Sequence, residues 1–226
     1  MAHEYSNFSV LDSEPVKAEV AIEGMYSRHL KRTFDIALVG LSSWVWVPIV
    51  AILYVLVRLD GGPGMFAHRR VGRKGETFMC LKLRSMVPDA PRKLEELLAR
   101  DPAAAQEWAL NQKLTDDPRI TRIGKFIRQT SLDELPQLWN VLVGDMSLVG
   151  PRPVTEQELD KYAEAASVYK SMRPGITGAW QVSGRNDVSY AERVALDVGY
   201  ARSLGFLTDL RIILKTFQVV LKRTGK

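Results

Sequence analysis

Two adjacent acids, Asp133 and Glu134, stand out because of the residues around them. Arg119, Arg122, Lys125 and Arg128 lead into Ser131-Leu-Asp-Glu-Leu-Pro-Gln137. Beyond lie Gly144-Asp-Met-Ser-Leu-Val-Gly-Pro-Arg-Pro153, Arg173-Pro-Gly175 and Gly184-Arg-Asn186. One surface arginine is usually a solvated charge. Arginines repeatedly placed beside Gly and Pro are different, because rigid guanidinium forks suit phosphate oxygens, and a pyrophosphate-bearing substrate is the expectation. Neighbouring positions on a helix diverge by about 100°. One carboxylate of the pair could therefore attack phosphorus while the other faces a metal ion. Aspartate is a phosphoryl acceptor in covalent catalysis, and Mg2+ is held by few carboxylates plus substrate phosphates. A structural role competes. Ser131-x-x-Glu134 reads as a helix capping box, with Asp133 complementing the helix dipole. Pro136 would then fall inside the helix and remove a hydrogen bond, whereas a start near Asp133 places it where no donor is needed. Both roles stay open on local physics.

The elements that must hold these residues begin with a membrane segment. From Ile36 to Val57 there are 22 residues without a charge. As one straight helix they would reach roughly 33 Å, enough to cross the hydrocarbon core. The run starts too late and is too long for a signal peptide, and no small-residue cleavage site follows it. Arg28, Lys31 and Arg32 precede it, and Arg58, Arg69, Arg70, Arg73 and Lys74 follow it. A spanning helix should show a strong charge asymmetry, and here both flanks are basic. Pro48, near the middle, favours a kink. Together these predict a re-entrant helix that bends at Pro48 and returns to the same face, with a single-pass helix as the alternative.

The expected domains are a flexible tail over 1–27, the membrane-inserted helix over 28–60 and a catalytic domain over 61–226. Within the last, Glu76 to Arg84 has strand composition, and helices are expected over about 91–112, 152–171 and 190–203. A C-terminal helix from Thr208 carries Leu210, Ile213, Leu214, Phe217, Val220 and Leu221 on one face, with basic residues around it. That is the pattern of an interfacial anchor, although the same face could serve a homodimer. Strand signal is scarce. The fold class is mostly α with minor β: a kinked membrane helix plus a compact helical α/β domain with interfacial amphipathic helices.

Composition narrows the function. The net charge of +5 suits anionic partners. No stacked aromatic platform with interleaved arginines appears, so nucleic acid is not an expected partner. A single cysteine excludes a disulfide framework, and with three histidines a zinc site of the usual type is not expected. Walker A, Rossmann and serine-elbow motifs are absent from the sequence.

From Lys31 to Lys226 the sequence resembles the bacterial sugar transferase family, the monotopic polyprenyl-phosphate phosphoglycosyl transferases. The resemblance rests on ordered blocks: Lys31-Arg-x-Phe-Asp35, Phe78-x-x-x-Lys-x-Arg-Ser-Met86, Asp117-Pro-Arg-Ile-Thr-x-x-Gly124 and Ser131-Leu-Asp-Glu-Leu-Pro-Gln-Leu-x-Asn140. They continue with Gly144 to Pro153, Arg173-Pro-Gly-Ile-Thr-Gly178, Gln181-Val-x-Gly-Arg-Asn186 and Leu196-Asp197. It implies a bacterial inner-membrane enzyme with its catalytic face in the cytoplasm. Such an enzyme transfers a sugar 1-phosphate from a UDP-sugar to undecaprenyl phosphate and releases UMP. The pattern is similar to exopolysaccharide-initiating galactose-1-phosphate transferases, with galactose the expected sugar and glucose next. On this resemblance Asp133 is the nucleophile and Glu134 helps hold Mg2+. Arg128 and Arg152 neutralise phosphates. Lys82, Arg84, Arg173, Gln181 and Arg185 line the donor site, and Asp197 matches an acidic position of looser role. One departure stands out. The family often carries Ser-Pro at the helix break, whereas Val47 precedes Pro48 here, leaving Ser42 or Ser43 to satisfy a freed backbone group.

Overall fold

The computed structural model describes residues 25–111, 114–183 and 188–221. These form two compact units. The first is built from 25–43, 67–81, 137–183 and 188–221, the second from 44–66 and 82–136 without 112–113. Eleven α-helices and four strands are described, so the chain is mostly helical with two small sheets.

The charge-free segment lies in two helices, α1 (Lys31–Leu41) and α2 (Ser43–Leu59), bent by 62°. Neither is long and apolar enough alone to cross a membrane, but the bent pair is by length and composition. Its large apolar side chains are mostly turned outward, with Leu41, Trp44, Ile52, Val55 and Leu59 all exposed. A core helix of a soluble protein would bury them. The break falls at Ser42, not at the expected Pro48, which α2 accommodates. The Ser42 hydroxyl donates to the carbonyls of Leu38 (2.8 Å) and Val39 (3.2 Å), competing with the helix ladder and ending α1 there. Helical structure begins by Tyr26, inside the segment assigned to the tail, and residues 1–24 lie outside those described.

In the first unit, α6 (Gln137–Val143) packs on α1 and leads into β3 (Ser147–Val149). Strand β3 pairs in parallel with β4 (Gly175–Thr177), Ser147 opposite Gly175 and Val149 opposite Thr177. Gly150 and Gly175 bring these backbones so close that a Cβ on either would overlap the other segment. Around the pair lie α7 (Glu156–Asp160), α8 (Ala166–Ser171), α9 (Ala179–Ser183), α10 (Tyr190–Arg202) and α11 (Phe206–Leu221). Their core gathers Val149, Val154, Tyr169, Trp180, Tyr200 and Ile212. Two buried acids tie the base of α1 to this core. Asp35 accepts hydrogen bonds from Ser147 Oγ (2.7 Å) and Leu148 N (3.3 Å). Asp209 accepts from Tyr26, Tyr200 and Lys31 at 2.6–2.7 Å. Asp209 and Ile212 define the inward face of α11, while Leu207, Leu214 and Phe217 stay exposed.

The expected helix over 152–171 is broken into α7, a 3-10 turn and α8, with Ala163 at a positive φ of 46°. The expected loop from Arg173 instead carries β4 and α9.

Strands β1 (Met65–Val71) and β2 (Thr77–Leu83) pair with each other. In the second unit, the helix expected over 91–112 is two helices, α3 (Ala90–Arg100) and α4 (Pro102–Asn111). The break has a local cause. Pro102 cannot donate to the ladder, and Asp101 Oδ1 instead accepts from the amides of Ala103 and Ala104 at the start of α4. Helix α5 (Arg122–Gln129) is capped by Thr121, whose side chain accepts from Gly124 N. Leu53, Val57, Leu83 and Ile127 form this unit's core.

Candidate active site

Asp133 and Glu134 do not cap an α-helix. Ser131 adopts a left-handed conformation (φ 57°, ψ 18°) and makes no side-chain cap, and Leu132–Glu134 form a single 3-10 turn. Helix α6 starts only after Pro136, at Gln137. The proline thus separates turn from helix, and the acids sit on a tight turn whose backbone they do not stabilise by capping.

That turn follows α5 directly, and β2 supplies the facing cation. Lys82 Nζ donates to Glu134 Oε1 at 2.6 Å, both side chains about one-third exposed. Asp133 is buried, 9% exposed. Its carboxyl is pushed up to about 6, chiefly by burial and then by the Glu134 charge, while Lys82 and Arg128 pull it back down. Arg128, in the last turn of α5, donates from Nε to Ser85 Oγ at 2.8 Å. The contact depends on Gly124, because a Cβ there would collide with the Ser85 carbonyl. The sequence reading missed Ser85, although it lies inside the Lys82-x-Arg84-Ser-Met86 block. Asp117 and Arg119 form a bidentate pair at 2.6 and 2.8 Å, and Arg119 lies over Trp108. Burial works to raise Asp117, but the hydrogen bonds from Arg119 outweigh it and hold the carboxyl low.

Arg84 has structural partners. Its guanidinium is buried and donates to the carbonyls of Val57, Gly61, Pro63 and Met86. With Nε, Nη1 and Nη2 each donating to backbone, it ties the loop after α2 to the end of β2.

The remaining expected residues belong to the first unit, apart from Arg185, which lies outside those described. Arg152 lies over the Trp180 ring at 5.5 Å, and Arg193 over the same ring at 4.7 Å. With Glu158, Tyr162 and Asp197 they line one cleft. Asp197 accepts from Tyr162 at 2.8 Å, and among the described residues its other oxygen has no hydrogen-bond partner. Its carboxyl is pushed up to about 7 by burial, with Tyr162 and Arg193 opposing. Trp180, Arg193 and Tyr162 were not legible as site residues, since only the fold stacks them. Gln181 donates to the Ile176 carbonyl at 2.9 Å, so half of its amide serves β4. Arg173 donates from Nε to the Gly144 carbonyl at 2.8 Å. Among the described residues, no three histidines, cysteines or carboxylates gather as a metal site. A hard ion here would take Glu134 as its one carboxylate, with substrate phosphates and water completing the shell.

Chemically, the second unit offers a desolvated carboxylate, a second acid beside it, and two cations facing them. A family model described as Bacterial sugar transferase matches residues 26–223. The chain is 56% identical over 201 residues to a UDP-galactose-lipid carrier transferase of Erwinia amylovora, covering 88% of this chain and 42% of that protein. It is 52% identical over 199 residues to an undecaprenyl-phosphate galactose phosphotransferase of Salmonella typhimurium, covering 88% and 42%. It is 48% identical over 196 residues to the exopolysaccharide production protein ExoY of Sinorhizobium fredii, covering 86% and 87%. The chain thus spans about two fifths of the length of the first two relatives and most of the third.

Proposed function

We propose, from the premise that the chain belongs to the bacterial sugar transferase family, that it moves a sugar 1-phosphate from a UDP-sugar to undecaprenyl phosphate and releases UMP. This would be the first membrane step of exopolysaccharide synthesis. The observation that carries the reading is Asp133: a buried carboxylate on a tight turn, beside a second acid and facing Lys82 and Arg128.

In the first half-reaction an ionised Asp133 oxygen attacks the β-phosphorus of the donor. A P–O bond forms, the bond from that phosphorus to the bridging oxygen breaks, and UMP leaves with the bridging oxygen. In the second, a phosphate oxygen of the lipid attacks the same phosphorus, the aspartyl–phosphate bond breaks, and the Asp133 carboxylate is restored. Burial strips water from the nucleophile, while Lys82 and Arg128 favour its charged form. Arg128 and Arg152 neutralise phosphate charge, and Gln181, Arg185 and Asp197 belong to the donor side. Mg2+, when bound, would neutralise pyrophosphate charge, with Glu134 beside Asp133 holding it.

Galactose is the favoured sugar, supported by the names of the Erwinia and Salmonella relatives, and glucose is the next. A lipid acceptor requires membrane association. The bent α1–α2 pair would provide it as a re-entrant insertion, α11 would lie at the interface with Leu214 and Phe217 toward lipid, and the catalytic domain would face the cytoplasm of the inner membrane. A panel of UDP-sugars assayed for UMP release with undecaprenyl phosphate tests reaction class and donor together. UMP release from UDP-galactose that depends on the lipid supports the reading; release of free sugar phosphate without lipid refutes it.

A further inference from the structure

Two arginines of the first unit meet at one end of α6, and a third sits on a turn packed against α8, the helix that leads to one of them. Arg32, in the first turn of α1, donates to the Val141 and Leu142 carbonyls, the latter at 2.9 Å. Its Nη2 lies 3.5 Å from where a Cβ on Gly144 would stand. Arg173 donates from Nε to the carbonyl of that same Gly144. Two guanidinium groups thus flank a single residue. Arg73, exposed on the 3-10 turn Arg73–Gly75, which packs against α8, adds a third charge. Burial holds Arg173 below the usual arginine range, and the charges of Arg73 and then Arg32 push the same way.

Capping the carbonyls at the end of α6 explains part of this. It accounts for Arg32 and for one nitrogen of Arg173. It does not account for a second, half-buried cation against the first, or for a third beside them. Among the described residues, neither terminal nitrogen of Arg173 has a hydrogen-bond acceptor, so the edge of its fork that suits two phosphate oxygens is unused. The carboxylate felt at Arg173 is Asp35, and Asp35 is already engaged by Ser147 and Leu148. An anchored guanidinium with like charges around it is built for an anion.

We propose that Arg173, Arg32 and Arg73 form a site for a phosphate carried on a lipid. Position favours a lipid over a soluble anion. Arg32 lies four residues before Ile36, where the charge-free run of the bent apolar pair begins, which is the level of phosphate headgroups. The site moves Arg173 from the donor side, where the sequence put it, to the lipid side. Identifying the lipid as the acceptor rests on the transferase reading; the preference for phosphate does not.

The test titrates the full chain in neutral detergent micelles with undecaprenyl phosphate, undecaprenol and phosphatidylglycerol, read by native mass spectrometry. The unmodified chain should prefer undecaprenyl phosphate over undecaprenol by tenfold or more. Arg173→Gln and Arg73→Ala should each cut that preference about tenfold, with Arg173→Lys between, since it keeps the charge and loses the fork. Arg73 is exposed, so its variant carries the test should Arg173→Gln fold poorly. Displacement by phosphatidylglycerol assigns the site to lipid phosphates in general; resistance assigns it to the polyprenyl phosphate. An unchanged preference in both variants overturns the proposal. So does a rise confined to the KM for the UDP-sugar, which would return Arg173 to the donor. Absent turnover in the unmodified chain would refute the transferase reading, while the binding preference would still decide the site.

Discussion

Replacing Lys82 by Met should move the pH dependence of turnover upward. The carboxyl of Asp133 stands at about 6, and Lys82 is the first of the charges holding it down. With a midpoint at 6, about a tenth of the molecules carry the nucleophile ionised at pH 5 and about nine tenths at pH 7. Removing an adjacent opposite charge typically raises a carboxyl by about one unit or more. It also leaves Glu134 without its 2.6 Å partner, and that acid already pushes Asp133 up, so both effects share a sign. A midpoint near 7 would cut turnover about fivefold at pH 6 and leave it within about 10% at pH 8. The assay is UMP release at saturating UDP-sugar, lipid and Mg2+, so that weakened donor binding does not enter. Both curves are recorded at the same Mg2+ concentration, and the displacement between them is the quantity to compare. A midpoint that stays put, or falls, would refute the assignment of Asp133 as the group that must ionise and of Lys82 as its counter-charge.

Arg84→Met should destabilise the fold without a specific kinetic defect. It strands four backbone carbonyls, and a loss of about 3 kcal/mol, read as a lowered unfolding temperature in detergent, is expected. A change in UDP-sugar KM at unchanged stability would contradict the structural role. Asp197→Asn should stabilise the protein at pH 8 and have little effect at pH 4. The folded carboxyl titrates at about 7 against about 4 unfolded, so ionising Asp197 costs stability progressively as pH rises between those values. The full cost is about 4 kcal/mol at the upper end. Unfolding temperatures of both proteins across that range check it, and a variant less stable at pH 8 would contradict the sign.

How much of this was legible beforehand varies with the range of the interaction responsible. The charge-free run announced the bent pair of apolar helices, and β2, α10 and α11 follow their local patterns closely. The bend was misplaced because Pro48 is a conspicuous local signal, whereas the Ser42 hydroxyl bonding back to Leu38 and Val39 is not. The break at Asp101 was readable in principle, since Asp-Pro opens helices, but helical apolar spacing on both sides concealed it. The acids stand out as a pair in the sequence, but spacing alone leaves capping and chemistry both open. Capping failed as an explanation only because Ser131 turns left-handed, which a serine does when the surrounding fold demands it. Lys82 pairs with Glu134 across 52 residues, and Arg84 reaches the loop after α2 across more than 20, and neither follows from spacing. An arginine in such a block reads equally as a phosphate ligand or a backbone clamp until its partners are seen.

The central claim is that Asp133 becomes covalently phosphorylated with the sugar attached. The direct measurement is incubation of the full chain with UDP-galactose radiolabelled in the sugar, without lipid acceptor, followed by quenching and mass mapping. The account predicts label and added sugar-phosphate mass on the peptide bearing Asp133, one UMP released per modified chain, discharge on adding undecaprenyl phosphate, and none of these in Asp133→Asn. Lipid-dependent turnover by Asp133→Asn at the unmodified rate, or label on another residue, would contradict it.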